Sequence, residues 1–196
     1  MEDPSGNTSA ASWSFMVDTA STATFSSWSP APGSTINVAT TMLSVYATSV
    51  NTLPMASARM WLDGRPVTVV PTQPSAYQVR GTYTAANMAD GPHTVRFQVT
   101  DSLGFTSENS WSFTVMAVPA GGAFAPASSS VVDVPRPPIG LTISDNTPGP
   151  INVRITLNGV VVMNEPRPQG VVRWTPTTDL ANGSINSVGV LLTDSV

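Results

Sequence analysis

Two stretches of this chain are near copies of each other: "GNTSAASWSFMVD", from Gly6 to Asp18, and "GFTSENSWSFTVM", from Gly104 to Met116. An offset of 98 positions pairs Trp13 with Trp111 and Phe15 with Phe113, and extends back to Gly6 with Gly104 and Asp3 with Asp101. A looser repeat joins the middle of the chain to its end. "SPAPGSTI" from Ser29 answers to "APASSSVV" from Ala125, and "RMWLDGRPV" from Arg59 to "RITLNGVVV" from Arg154. "TYTAANMADGPHTVRFQVTDS" from Thr82 answers to the segment from Arg173 that closes in "NSVGVLLTDS". A period near one hundred residues with several strand-length runs inside it predicts tandem β-sandwiches.

The runs themselves read as strands. Trp13, Phe15 and Val17 alternate with Ser12, Ser14 and Met16, and Val95, Phe97 and Val99 alternate with Arg96 and Gln98. Period-two alternation gives a strand with one face in a core and one in solvent. "SPAPGS", "DGRP", "ADGP" and "NGSI" separate the runs with turn-setting Pro and Gly. Eighteen prolines break helical readings in most windows, so the expected class is all-β.

The phrases "SPAPGSTI", "ARMWLDGRPVT", "MADGPHTVRFQVTD" and "SWSFTV" resemble bacterial immunoglobulin-like repeats of cell-surface and secreted proteins. The resemblance covers the middle module almost fully and the last one loosely. It implies a structural role, since such modules serve as spacers, adhesins, enzyme appendages and tail decorations. The expected organisation is an N-terminal donor strand over residues 1–18, a first immunoglobulin-like domain over 19–116, and a second over 117–196 that lacks its last strand. The 117–196 unit runs to its penultimate strand, "NSVGVLLTDSV", and the missing strand matches the N-terminal segment.

That displacement predicts assembly by exchange. Trp13, Phe15 and Val17 of one copy enter the open slot of another, beside Val188, Val190 and Leu192 of the penultimate strand and Val132 and Val134 on the first strand. Folding back within one chain is geometrically poor, because a whole module about 40 Å long at ordinary strand rise intervenes. A donor at one end and an acceptor at the other form a heterologous contact that gives rings or filaments. The partner is then the protein itself, as a head-to-tail homopolymer at the cell surface or outside the cell. Two alternatives stay open: a fragment of a longer array, and a spacer or carbohydrate-binding adhesive module of a larger surface protein.

Chemistry is sparse. Charged residues are 10% of the chain, the net charge is −4, and all eight cations are Arg, which leaves no basic stripe for nucleic acid. No Cys means no disulfide, thiol catalysis or Cys-ligated zinc, and no Lys means no Lys–Asn isopeptide crosslink. No apolar run reaches the ~18 residues of a membrane span. His93, the one histidine, starts a strand after a turn, with no G-x-S-x-G elbow to serve. Asp63 and Asp90 each precede Gly and are expected to support local turns, while Asp3, Asp101 and Asp194 recur at one repeat position. The carboxylates do not cluster along the sequence, so no metal site, cofactor or catalytic residue is expected. Trp61 and Trp174 can face either way, Trp28 is a candidate end plug, and Asn7 and Asn182 match the N-glycosylation pattern.

Overall fold

Alternation decides the strands. Val95, Phe97 and Val99 are fully buried while Arg96 and Gln98 between them remain partly exposed. Trp111, Phe113 and Val115 follow the same rule, as do Ile151, Val153 and Ile155. The computed structural model describes residues 10–15, 23–50 and 52–194 together with Thr8 and Val17. Among these, every regular element is a strand, and no helix is long and apolar enough to cross a membrane.

Nine strands build the first sandwich: β1 (Ala23–Ser29), β2 (Thr35–Ile36), β3 (Thr41–Ser49), β4 (Met55–Leu62), β5 (Arg65–Val67), β6 (Val70–Ser75), β7 (Gln78–Ala85), β8 (Gly91–Asp101) and β9 (Thr106–Val115). They form a β1-β3-β7-β6 sheet and a β2-β9-β8-β4-β5 sheet. Relabelled by position, these are A-B-E-D facing A′-G-F-C-C′, the strand order of an immunoglobulin-like sandwich. Its core includes Leu43, Val45, Met60, Phe97 and Phe113, with the edge of Phe25 meeting the Phe97 ring at 6.3 Å.

Six strands build the second: β10 (Ala120–Ala125), β11 (Ile139–Ser144), β12 (Pro150–Leu157), β13 (Val160–Pro168), β14 (Gly170–Trp174) and β15 (Val188–Thr193). Its sheets run β10-β11-β14 and β13-β12-β15, which is A-B-E facing C′-C-F. Ile139, Leu141, Ile143, Ile151, Val153 and Ile155 form a separate core. The turns of the two sandwiches match as the repeat requires. Asp63 and Gly64 between β4 and β5 take φ of 51° and 76°, and Asn158 and Gly159 between β12 and β13 take 51° and 81°. Paired left-handed residues are what a tight hairpin turn demands, and Asp, Asn and Gly adopt them at least cost.

Register confirms the internal correspondence. Met60 stands opposite Phe97 and Leu62 opposite Val95 in the first sandwich, and Ile155 opposite Val190 and Leu157 opposite Val188 in the second. β15 is therefore the counterpart of β8.

One glycine is set by close approach. A Cβ at Gly81 would come within 2.3 Å of the buried Phe97 ring, which has no free space to turn into. Gly81→Ala is expected to cost about 1–3 kcal/mol through overpacking. In calorimetry the first sandwich's transition moves down and the second's holds; an unshifted first transition would refute this packing.

Candidate functional site

The edge of β15 that faces away from β12 has no strand beside it among the described residues. In the first sandwich the corresponding edge of β8 is covered along its whole length by antiparallel β9, from Gly91 opposite Val115 to Thr100 opposite Thr106. The consequence appears in exposure. Val95 and Phe97 are 0% exposed under β9, while their counterparts Val188 and Val190 are 44% and 36% exposed. Leu192, the counterpart of Val99, is partly buried against the second core.

A second gap accompanies the first. β2 exists because β9 holds it: Thr35 and Ile36 pair in parallel with Thr114 and Val115, and the Thr114 N–H donates to Ser34 O at 2.8 Å. The repeat places Val131 and Val132 where Thr35 and Ile36 stand, and in the second sandwich that segment is not a strand. Val132 and Val134 were expected on the first strand; the first strand is instead β10, which ends at Ala125, and both valines lie beyond it in irregular chain. The physical reason is that a strand of two residues has no ladder of its own and forms only against a last strand. Val131 is 98% exposed in consequence.

The expected donor side chains are also free. Trp13, Phe15 and Val17 are 83%, 79% and 70% exposed, against 5%, 1% and 0% for Trp111, Phe113 and Val115. Neither core includes them. Residues 10–15 and Val17, expected as an extra strand, have no strand conformation in the single chain, since an extended segment needs a neighbour to satisfy its backbone.

Where the sandwiches meet, side chains carry the joint. Asn146 Nδ2 donates to Met88 O and to Asp90 Oδ1, each at 2.8 Å, and the Asp90 N–H donates to Thr147 Oγ1 at 2.9 Å. Asp90 Oδ1 also accepts the Ala117 N–H at 2.8 Å. Asp90 thus ties the linker and the second sandwich to the first, where a local turn contact was expected. The expectation that carboxylates stay apart is corrected at the same place. Asp90, Asp145 and Asp194 bring carboxylate oxygens within 4.8 Å of one another. They are far apart in sequence and meet only because the chain path folds three strand ends onto one junction, which no local motif announces.

Burial pushes the Asp90 carboxyl up, but hydrogen bonds led by those from Asn146 and Ala117 outweigh it and hold the group below its ordinary value. Burial raises Asp145, the Asn146 N–H opposes it, and the neighbouring charges of Asp194 and Asp90 raise it further. Asp101 behaves as the repeat predicted: its Oδ1 accepts the N–H groups of Leu103 at 2.9 Å and Phe105 at 3.0 Å and closes the β8–β9 turn.

His93 is a turn fastener. Its Nδ1 lies 2.7 Å from Asp63 Oδ2 and its Nε2 lies 2.8 Å from Ala89 O. Both partners only accept, so both bonds form together only in the imidazolium. Asp63 also accepts the Thr94 N–H across the strands at 2.9 Å. Burial lowers the imidazole, and the bonds to Ala89 and Asp63 together with the Asp63 charge override it and raise the value above the ordinary one. Trp61 faces out of the sheet, but the Arg96 guanidinium covers one ring face at 3.8 Å and pairs with Glu108 at 3.3 Å. Trp28 and Trp174 pack against the first and second cores.

No family model and no curated protein matches this sequence. Among solved structures, the fibronectin(III)-like modules of CbhA from Clostridium thermocellum align at 18% identity and TM-score 0.38, over 89% of this chain and 86% of theirs. CopC from Methylosinus trichosporium aligns at 17% and TM-score 0.38, over 49% of this chain and 95% of its own. The titin immunoglobulin tandem domains align at 11% and TM-score 0.31, over 83% and 91%. At these values the likeness adds nothing to the fold already read from strand order.

Two expectations follow. The raised His93 value means its contribution is fully present below the unfolded imidazole value of about 6.5 and is lost as pH rises through the folded one. Denaturation of the wild type should show the first sandwich weakening across that window, and His93→Gln should flatten the profile. Asp145 shifts stability in the same direction with pH, though through its charged form: its ionisation costs stability, and the cost grows as pH climbs from its unfolded to its folded value. Asp145→Asn keeps an oxygen for the Asn146 N–H and should stabilise the second sandwich at neutral pH by at most about 1 kcal/mol. A loss of stability in that variant would show that the cluster is held together by attraction.

Proposed function

We propose that this protein is a structural subunit that assembles head to tail, the Trp13–Val17 segment of one copy closing the second sandwich of the next. One observation carries the proposal: a segment that repeats β9 is exposed, and the counterpart of the strand β9 covers is exposed as well. Carrying the β8–β9 register across sets Trp13 opposite Val188, since Trp111 stands opposite Val95, and Ala11 opposite Val190, since Asn109 stands opposite Phe97. Val17 then lies beside Val132, where Val115 lies beside Ile36.

Burying Trp13, Phe15 and Val17 contributes on the order of 1.5–3 kcal/mol each, with the ladder bonds in addition. These terms work against the association and ordering costs of the segment, and the ladder bonds and buried rings act mainly on the rate at which the joint opens. The contact is heterologous, so it yields a ring or a filament. Low charge and the absence of Lys and Cys suit an extracellular stalk or filament.

Complementary variants test the polarity. Trp13→Asp removes the donor and leaves an intact slot, and Val190→Asp spoils the slot and leaves an intact donor. Electron microscopy and light scattering should show polymers for the wild type, monomers for either variant alone, and discrete pairs when the two are mixed. Polymers that persist in Trp13→Asp would sink the proposal. Monomers of the wild type would favour a spacer within a longer array, whose own chain supplies the covering strand.

A further inference from the structure

Ala89 sits between two residues that are both engaged at the joint. Before it, the Met88 N–H donates to Ala39 O at 3.0 Å, and Met88 O accepts from Asn146 Nδ2. After it, the Asp90 N–H donates to Thr147 Oγ1, and Asp90 Oδ1 accepts from Asn146 Nδ2 and from the Ala117 N–H. The bonds that Asn146 and Thr147 of the second sandwich make across the joint therefore all end on the two residues that flank Ala89. The Ala89 carbonyl itself is held from within the first sandwich, by His93 Nε2 at 2.8 Å.

That hold depends on the charge of the imidazole. The His93 side chain is only 11% exposed, so water has little access to its ring nitrogens. The β4–β5 turn presents Asp63 Oδ2 at 2.7 Å, β9 presents the uncharged Phe113 ring at 5.7 Å between centroids, and the loop before β8 presents the Ala89 carbonyl. Asp63 is the charged group that acts on the ring. A neutral imidazole has one N–H for these two acceptors. The bond to a carboxylate is the stronger, so that proton stays on Nδ1 beside Asp63. The Nε2 lone pair then faces the Ala89 oxygen, and the contact at 2.8 Å turns from attraction to repulsion.

We infer that His93 is a proton-controlled latch on the joint between the sandwiches. The imidazolium pins Ala89 and so sets Met88 and Asp90 in place for Asn146 and Thr147. The neutral ring releases that loop and loosens the angle between the sandwiches. The latch does not depend on strand donation. The joint is tight in acid and slackens as pH rises through the folded imidazole value, which lies above the ordinary one of about 6.5. Asp90, Asp145 and Asp194 are a second source of pH dependence at the same joint, and substitutions at His93 and Asp63 leave them in place.

The test uses the full chain with Trp13→Asp, an exposed position outside both cores, to keep copies apart. The chain has no Cys, so Thr72→Cys and Val160→Cys place spin labels on exposed strands of the first and second sandwich only. His93 is the one histidine, so its ring proton signals in NMR report its protonation directly. The interlabel distance distribution should be narrow at a pH of about 5.5 and broaden toward about 9, with the same midpoint as the imidazole titration. His93→Gln should abolish the step. Asp63→Asn should abolish it in the opposite sense: the new amide donates to Nδ1, the neutral ring keeps its N–H on Nε2 for Ala89, and the narrow distribution persists at high pH. A distribution that stays unchanged across the imidazole titration would overturn the latch. So would a step that survives either substitution, since it would then belong to the carboxylates.

Discussion

A sandwich survives only if both edges of its core are covered, and in the first sandwich one pairing accomplishes this. β9 covers the open side of β8, brings Trp111 and Phe113 into the core, and calls β2 into existence on its other side. Remove that strand and two edges open at once. Among the described residues the second sandwich shows that pattern: β15 is paired with β12 alone, and the segment at Val131–Val132 is not a strand. Its core of Ile, Leu and Val is otherwise complete. The open edge is therefore local among the described residues. Open edges of this kind are ordinarily aggregation hazards, blunted by charge or proline. Here β15 carries neither at Val188–Leu192, and the one segment with matching side chains sits at the opposite end of the sequence.

Most of the fold was legible because the sequence states it twice. Alternation gave Trp111, Phe113, Val95 and Phe97 their burial, and the repeat matched the β4 stretch to that of β12 and the β8 stretch to that of β15, with the registers supplied by the structure. Val132 was misplaced for a physical reason: its counterpart Ile36 owes strand form to β9, which propensity cannot report, while Val38, the counterpart of Val134, lies outside any strand in the first sandwich too. The same reason explains residues 10–15, whose pattern is that of a strand while their conformation in the single chain is not.

The junction was not legible at all. Asp90, Asp145 and Asp194 sit in ordinary turn contexts, and Asp90 followed by Gly reads as a local turn former. Its actual partners are 27 and 56 positions away, and only tertiary structure supplies them. His93 lies between these cases. A histidine opening a strand after a turn was correctly placed, but its two acceptors, Asp63 and Ala89, come from another hairpin and from the preceding loop.

The turn that Asp101 closes has a thermodynamic meaning. It delivers β9 to β8 across Ser102–Phe105, so the strand meets its site at a local concentration that no dilution of the sample can lower. The second sandwich has no such tether on the proposed assembly, and its covering strand must be drawn from the bulk. By mass action its folding free energy then contains a term in subunit concentration, and the first sandwich's does not. One chain would thus hold two copies of the same architecture. One is sealed by its own covalent connectivity, and on the proposed assembly the other would be completed only in a crowd.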